Sequence, residues 1–364
     1  MMESCRNEMP TKRSHAITMA HAAPPIRLVD GRGRRRHREK CGRSREMTER
    51  TNRLSVIIVS ANSAGWLRPC LTTVFERAGD VDLDVVVVAA GCTDETVQLV
   101  EREFPQARTI SCENRGFAYA NNRALRTVDA DWVLLLNPDT EILEGSFGDL
   151  IDRLDSRSTV GLVGVPQLTP DGKLFPTIRR FPNAIRSLFE ALGSERFPFR
   201  ASWLGERELD LSVYERDVAC DWTSGSFMLV RWEAFQSAGF RDERFFLYCE
   251  ETDLCLRIKQ AGWEIRHVPY LSILHHADKE GWNPRLDAQA AYAKRQYFEK
   301  HLSPVHRLSA TAALVLGYTI RTVFGRDDQG RQESSRAALT TLLGLRPPPF
   351  GEPPRVALAY DSKP

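Results

Sequence analysis

The sequence predicts an α/β protein: a mostly parallel sheet flanked by helices, with further helices toward the C-terminus. Three observations carry this expectation. From Leu54 onward, short apolar runs alternate with stretches at helical spacing. The runs are continuous rather than polar-alternating, as in strands buried on both faces. One of them, Trp132-Val-Leu-Leu-Leu136, stops abruptly at Asn137-Pro-Asp139-Thr140. Pro138 cannot donate to a ladder, so the strand ends before it. Asp139 is thereby delivered to the carboxyl edge of the sheet, where open α/β sheets bind ligands. Taken alone, the stretch is equally well a strand followed by an Asx turn.

The elements follow in order. Leu54–Val59 reads as the first buried strand. Trp66–Ala78 reads as a helix with Leu67, Leu71, Val74 and Phe75 on one side. Leu83–Val88 is a second strand, and Thr93 or Asp94 caps a helix running toward Phe104. Ala107–Ser111 is a short strand, Gly116–Val128 a helix and Trp132–Leu136 the fourth strand. This βαβαβαβ order predicts right-handed crossovers. Pro166, Pro170, Pro176, Pro182 and Pro198 break residues 166–217 into an irregular excursion over the sheet, with a short helix at Ile185–Leu192. A strand at Ser224–Val230, a helix at Glu250–Ala261 and strands near Ile265–Val268 and Leu271–Leu274 come next. Helices at about Leu286–His301 and Leu308–Phe324 complete the pattern. Residues 1–50 are expected to be a disordered basic extension, 51–300 the folded domain, 301–330 an apolar helix and 331–364 a loose tail.

Composition narrows the class. Hydrophobic content of 42% and charged content of 27% are ordinary for a globular protein. The formal net charge of +2 hides an asymmetry, because residues 1–50 hold 13 Lys+Arg against 6 Asp+Glu. That arm, with Gly31-Arg-Gly-Arg-Arg-Arg36 at its centre, lacks apolar periodicity and cannot bury enough surface to order itself. Residues 51–364 hold 37 Lys+Arg against 42 Asp+Glu, an acidic balance that argues against a nucleic-acid partner. The eight cysteines form no C-x-x-C pair, which favours a reducing cytoplasm over a disulfide or zinc framework. No stretch approaches the roughly 20 apolar residues of a membrane span. No apolar stretch follows the N-terminal charges as a secretory signal would require.

Three clusters carry candidate chemistry: Asp139, Glu250-Glu251-Thr252-Asp253, and His275-His276. A carboxylate and an imidazole can hold a divalent cation that keeps positions open for phosphate oxygens. A second carboxylate, free of the metal, can act as general base. Glu250, Asp253 and Arg257 fall on one helix face, and Asp253 and Arg257 can pair at i,i+4. Glu251 points about 100° away from Glu250, at roughly 3.6 residues per turn, so it can face a cleft. Acids in a first helical turn also favour the helix dipole without any catalytic role, and a strand-end histidine pair can be engaged in ordinary hydrogen bonds.

Five segments in order resemble glycosyltransferase family 2, the inverting enzymes of GT-A fold, and within it the rhamnosyltransferase-like branch. They are Leu54-Ser-Val-Ile-Ile-Val59, Glu113-Asn-Arg-Gly-Phe-Ala-Tyr-Ala-Asn-Asn122, Asn137-Pro-Asp139, Gly225-Ser-Phe-Met-Leu-Val-Arg231 and Phe245-Phe-Leu-Tyr-Cys-Glu-Glu-Thr-Asp-Leu254. The likeness covers about residues 54–300. It implies a Rossmann-like sheet, a divalent metal (Mg or Mn) held by Asp139 and His275, with His276 the alternative ligand, and Glu251 as the catalytic base. It implies that Asn114, Arg115 and Asn122 line the nucleotide-sugar pocket with Asp94, and that Asp221, Trp222, Gly225 and Asp253 serve substrate binding, Asp221 and Trp222 bordering the acceptor. The partners it implies are a nucleotide-sugar donor and a saccharide or lipid-linked acceptor, in cell-surface polysaccharide synthesis.

Two departures stand out. The family's V-D-N-x-S-x-D segment is Val88-Ala-Ala-Gly-Cys-Thr-Asp94 here, so Ala89 replaces the Asp that commonly reads the nucleotide base. Loss of a buried acceptor for the base N–H is worth about 1–3 kcal/mol. Glu251 stands where the family carries Asp, and its extra methylene moves the carboxylate by roughly 1 Å, enough to affect attack geometry. The same departures motivate a rival reading, a non-catalytic nucleotide-sugar-binding protein on a decayed transferase fold. The apolar segment Leu308–Phe324 is too short to span a bilayer. It is either a helix lying in the membrane interface at the inner face of the plasma membrane or one packed on protein.

Overall fold

The computed structural model describes residues 51–192, 202–276, 282–324 and 329–351. The basic extension expected over residues 1–50 lies outside the described residues. The first half of the fold follows the expected alternation. Strands β1 (Arg53–Ser60), β2 (Asp82–Ala90), β3 (Arg108–Cys112) and β4 (Trp132–Leu136) are parallel neighbours, connected by helices α1 (Ala64–Glu76), α2 (Thr96–Glu103) and α3 (Phe117–Leu125). Alternate residues of one strand feed opposite layers. Val56 and Ile58 join the core formed with α1, α2 and the later helix α4 (Phe147–Asp155), whereas Ile57 and Val59 join the core on the other face. Each such side chain contributes about 1.5–3 kcal/mol by burial, which is why the runs are apolar without interruption.

Residues 140–165, for which the sequence pattern suggested no element, hold β5 (Thr140–Glu144), α4 and β6 (Val160–Gly164). Among the described residues, the excursion expected over 166–217 is made of short pieces: β7 (Gln167–Leu168), β8 (Leu174–Phe175), β9 (Ile178–Arg179), α5 (Ala184–Leu192) and two 3₁₀ turns. Then come β10 (Val218–Ala219), β11 (Trp222–Thr223), β12 (Phe227–Arg231), α6 (Trp232–Ala238), α7 (Glu250–Gln260), β13 (Glu264–His267) and β14 (Ser272–His275). The main sheet has the order β10-β13-β6-β12-β4-β1-β2-β3, and β12 runs antiparallel to both of its neighbours. A second sheet, β5-β14-β7-β8, stands beside it. This topology gathers the carboxyl ends of β1, β2, β3, β4 and β6 and the amino end of β12 along one edge. The segments after β4, before β12 and after β6 therefore meet there.

The C-terminal helices α8 (Pro284–His301), α9 (Pro304–Phe324) and α10 (Gln329–Leu342) share a third core with Phe245, Tyr297, Phe298 and Leu314. The loose tail expected from residue 331 is thus corrected: α10 packs on α8 and buries Ser334, Ser335, Ala338 and Leu342. Its inner face is built of small side chains at helical spacing, which leave no hydrophobic periodicity to read. Among the described residues no helix is long and apolar enough to cross a membrane.

Candidate active site

Asp139 leaves β4 at the turn that Pro138 enforces, and β14 brings His275 to it. His275 Nε2 lies 3.2 Å from Asp139 Oδ1, and both side chains are partly exposed. His275 Nε2 is also 3.4 Å from Asn137 Nδ2, and its Nδ1 is 2.7 Å from the Gln167 side-chain amide. Gln167 Oε1 in turn accepts from Ser226 Oγ at 2.5 Å. The far ring nitrogen is thereby held by a chain of hydrogen bonds, the arrangement that orients a metal-binding imidazole. His276, the alternative ligand, is engaged elsewhere. Its Nε2 pairs with Glu141 Oε1 at 2.5 Å, and its ring stacks on Trp66 at 4.8 Å.

The acidic pair opens α7. The two residues before it, Tyr248 and Cys249, have φ of +69° and +64°. Such a conformation costs an L residue roughly 1–2 kcal/mol. The strained turn reverses the chain just before the carboxylates and fixes where they point. It is held from outside by Gly116 (φ +106°), where an added Cβ would lie 2.6 Å from Phe246 O. Glu251 packs beside Gly225, where an added Cβ would stand 3.6 Å from Glu251 Cβ. Glu250 sits 3.6 Å from the fully buried guanidinium of Arg241. Burial first, and then the charge of Glu251, push the Glu250 carboxyl up to about 8, against the pull of Arg241. Glu250 Oε2, Glu251 Oε2 and Arg241 Nη1 are all buried without a hydrogen-bond partner.

Gly225 and Ser226 join the two centres. Gly225 borders Glu251, while the Ser226 carbonyl accepts from Asn137 N at 3.0 Å and its hydroxyl reaches Gln167. The Asp139–His275 pair and the base candidate thus flank one two-residue segment.

Other expected site residues are placed differently. Asp253 is a correction: it is wholly buried and satisfied by Arg257 (2.7 Å), Lys300 (2.5 Å) and His301 (2.7 Å). Burial alone would raise its carboxyl, but the three partners outweigh it and hold the group well below the usual range. Asp253 therefore anchors α7 to α8 instead of meeting substrate. Asn122 is a second correction. It is buried, donates to Arg241 O (2.8 Å) and Glu243 Oε1 (2.9 Å) and accepts from Arg241 N (3.1 Å), so it fastens the 241–243 loop and lines no open pocket. Glu250 does not share the Asp253–Arg257 pair. Asp94 accepts from Ala64 N (3.0 Å) and Thr96 N (3.2 Å), tying two loops at the sheet edge. Asn114 is exposed beside Gly91, and Arg115 stacks over Tyr119 at 4.6 Å, both at the carboxyl end of β3. Asp221 pairs with Lys259 at 3.1 Å, and Trp222 is buried, donating from Nε1 to Arg180 O at 3.0 Å.

A family model, glycosyl transferase family 2, matches residues 55–211. Over 260 residues the chain is 32% identical to an N-acetylglucosaminyl-diphospho-decaprenol L-rhamnosyltransferase of Mycobacterium tuberculosis (strain CDC 1551 / Oshkosh), a match that covers 68% of this chain and 83% of the relative. The chain belongs to glycosyl transferase family 2. It is also 29% identical over 177 residues to rhamnosyltransferase WbbL of Escherichia coli K12, covering 44% of this chain and 61% of that one. The solved structure of the mannosyltransferase PcManGT from Pyrobaculum calidifontis, in complex with GDP-Man and Mn2+, superposes with a TM-score of 0.50 at 17% identity, covering 83% of this chain and 78% of that chain. This likeness establishes the shared GT-A architecture.

The glycosyltransferase also carries site residues that sequence reasoning passed over. Gln167 follows the apolar run Val160–Val165 just as Asp139 follows Leu136, so the same rule, a polar residue at the end of a buried strand, would have found it. Ser226 lay inside a recognised motif without a role. Arg241 had no sequence signal, since its importance comes from Asn122 holding its backbone 119 positions away.

Proposed function

We propose that the protein transfers a sugar, with rhamnose the leading candidate, from a nucleoside-diphosphate donor to a lipid-linked saccharide, inverting the anomeric centre in one displacement. The supporting observation is the Gly225-Ser226 segment, which has a carboxylate–imidazole pair on one side and the half-buried Glu251 carboxylate on the other. Rhamnose and the lipid-linked acceptor come from the names of the relatives.

Asp139 and His275 suit a divalent cation. They offer one carboxylate and one imidazole at a partly open edge, with no group of three or more His, Cys, Asp or Glu among the described residues that could complete a protein-only cage. A site with two protein ligands leaves room for diphosphate oxygens, as magnesium-type sites require. The cation, when bound, neutralises charge on the leaving diphosphate. Gln167 holds His275 Nδ1, leaving Nε2 turned to Asp139. Glu251, half-buried beside Gly225, takes the proton of the attacking hydroxyl.

The test is product formation from a panel of nucleoside-diphosphate sugars and an isoprenoid-diphosphate-linked N-acetylglucosamine acceptor, with Mg or Mn and with chelator. Metal-dependent transfer giving a product of inverted configuration by NMR is expected. Donor binding without transfer or hydrolysis under any condition would favour the non-catalytic reading.

A further inference from the structure

Away from Asp139, a pocket of about 290 Å³ opens between β9, α5 and the β10–β11 connection. Its walls include Arg179, Arg180, Arg186, Glu208, Val213 and Asp221. The charges do not cancel. Glu208 is paired with Arg180, and Asp221 with Lys259 at 3.1 Å. Nearby Glu206 pairs with Lys294 at 2.6 Å and Glu190 with Arg207 at 3.6 Å. Among the described residues, Arg186 donates to neutral carbonyls, those of Phe181 (2.8 Å) and Trp203 (3.2 Å). Arg179 lies over the Trp222 ring at 5.4 Å, and its Nε is buried without a hydrogen-bond partner. Burial and the neighbouring Arg207 disfavour its charge and outweigh the opposing pull of Glu190 and Glu206. Among the described residues, two guanidiniums in one small cavity have no ion-paired carboxylate of their own, an arrangement that an anion with two adjacent charged groups would relieve.

The rim is apolar. Ile185, Trp203 and Leu211 expose 50%, 56% and 50% of their surface. Ile185 precedes Arg186 on α5, the Trp203 carbonyl holds Arg186, and Leu211 opens the turn that carries Val213. Helix α5 packs against α9. The outer face of α9 presents Val305, Leu308, Ala312, Leu316 and Val323 to solvent, at helical spacing along its length.

The position also fits. Lys259 grips Asp221 in the pocket wall and lies on the same helix as Glu251, eight residues on, which is about 12 Å along the axis at roughly 1.5 Å per residue. One sugar ring fits in such an interval.

We infer that this pocket binds the diphosphate of an isoprenoid-diphosphate-linked acceptor, Arg179 and Arg186 facing the two phosphates and Ile185, Trp203 and Leu211 bedding the first isoprenoid units. The inference rests on the proposed acceptor class and deepens it, because it assigns the acceptor's charged group to a site separate from the donor diphosphate at Asp139.

The test is calorimetric binding of farnesyl diphosphate to the full chain in the presence of chelator and without donor, which silences the donor site. The wild type and Asp139→Ala should bind equally. Arg186→Gln should weaken binding by at least about tenfold, the scale of one charge-assisted contact. Ile185→Asp should weaken farnesyl diphosphate while leaving inorganic pyrophosphate unchanged, and pyrophosphate should bind the wild type more weakly than the lipid. Phosphatidylglycerol vesicles should bind Arg186→Gln as they bind the wild type. Unchanged affinity in a folded Arg186→Gln, loss in Asp139→Ala instead, equal affinity for pyrophosphate, or vesicle binding that falls in step with Arg186→Gln would each overturn the assignment. Absent transfer with these binding results intact would count against the proposed reaction and leave the pocket assignment standing.

Discussion

The two acidic centres on either side of Gly225-Ser226 settle their charges in opposite ways. Asp139 and His275 keep 21% and 13% of their side-chain surface exposed and have few other bonds. Glu250 lies beside an arginine with no exposed side-chain surface, and Glu250, Glu251 and that arginine all hold buried polar atoms without partners. Glu250 and Arg241 are kept from water, whereas Glu251 is half-buried, as Asp139 and His275 are. An ion and its diphosphate must exchange at every turnover, so their ligands need access to solvent. A carboxylate that accepts a hydroxyl proton gains from excluding competing water. Solvation separates Glu250 from the two half-buried carboxylates, and the neighbouring imidazole of His275 separates Asp139 from Glu251.

The largest expected effect comes from breaking the open centre. Asp139→Ala should abolish transfer at saturating donor and metal while shifting the melting temperature by no more than about a few degrees, the usual scale for a surface-edge substitution. Wild-type-like turnover in that protein would sink the metal-ligand assignment. His275→Ala should follow it closely, and His276→Ala should do less, because His276 is tied to Glu141 and Trp66.

The Glu250–Glu251 centre comes next. Glu251→Gln should keep donor affinity and lose at least about 100-fold in turnover, the usual scale for removing a general base. Glu250→Gln should lose less. A greater loss in Glu250→Gln, measured in the same single-turnover assay, would mean that the roles are reversed and that Glu251 supports Glu250.

Glu250 also predicts a smaller effect on stability. Its carboxyl is raised from 4.5 to about 8 in the folded chain. Between those values the folded state holds a proton that the unfolded state has released, so stability falls as pH rises through the window and levels off above it. Glu250→Gln cannot release that proton. Its melting temperature should fall less than that of the wild type between pH 5 and pH 8.5, a difference of about a few degrees. Parallel curves would show that the pair shares its charge in another way.

The two centres were also unequally legible in sequence. Asp139 could be placed because a strand buried on both faces leaves a continuous apolar run and proline must end it. The parallel strands β1 to β4 were readable for the same reason. Around Glu251 the geometry is set by contacts far apart in sequence: Asn122 to Arg241, Gly116 to Phe246, Asp253 to Lys300 and His301. None of these leaves a periodic trace. Helical arithmetic correctly paired Asp253 with Arg257, but it could not reveal that α8 supplies two more cations and removes Asp253 from the site. Asn122 was misplaced likewise, since a motif specifies a residue type and not whether the side chain is turned inward.

The smallest predicted effect sharpens the comparison on the donor side. Ala89 sits near the carboxyl end of β2, buried, in register with Ser60 of β1 and Ser111 of β3. It shares its sheet face with Val85 and Val87, opposite the face of Val86 and Val88. A carboxylate there would stand at the open edge, near where Asn114 closes on Gly91. With alanine at this position, discrimination among uridine, thymidine and guanosine diphosphates should be weak, and selectivity should rest on the sugar and the diphosphate. Ala89→Asp should tighten uridine or thymidine diphosphate by up to about tenfold, near 1.4 kcal/mol, where the new acid reaches the base N–H. Calorimetry with both proteins, Mn present, measures this directly. The gain is bounded because Ala89 is buried and the new carboxylate must give up water to stand there. Sharp base selectivity in the wild type, unimproved by the added acid, would mean that another group reads the base and that the open half of the site is more specific than its exposure suggests.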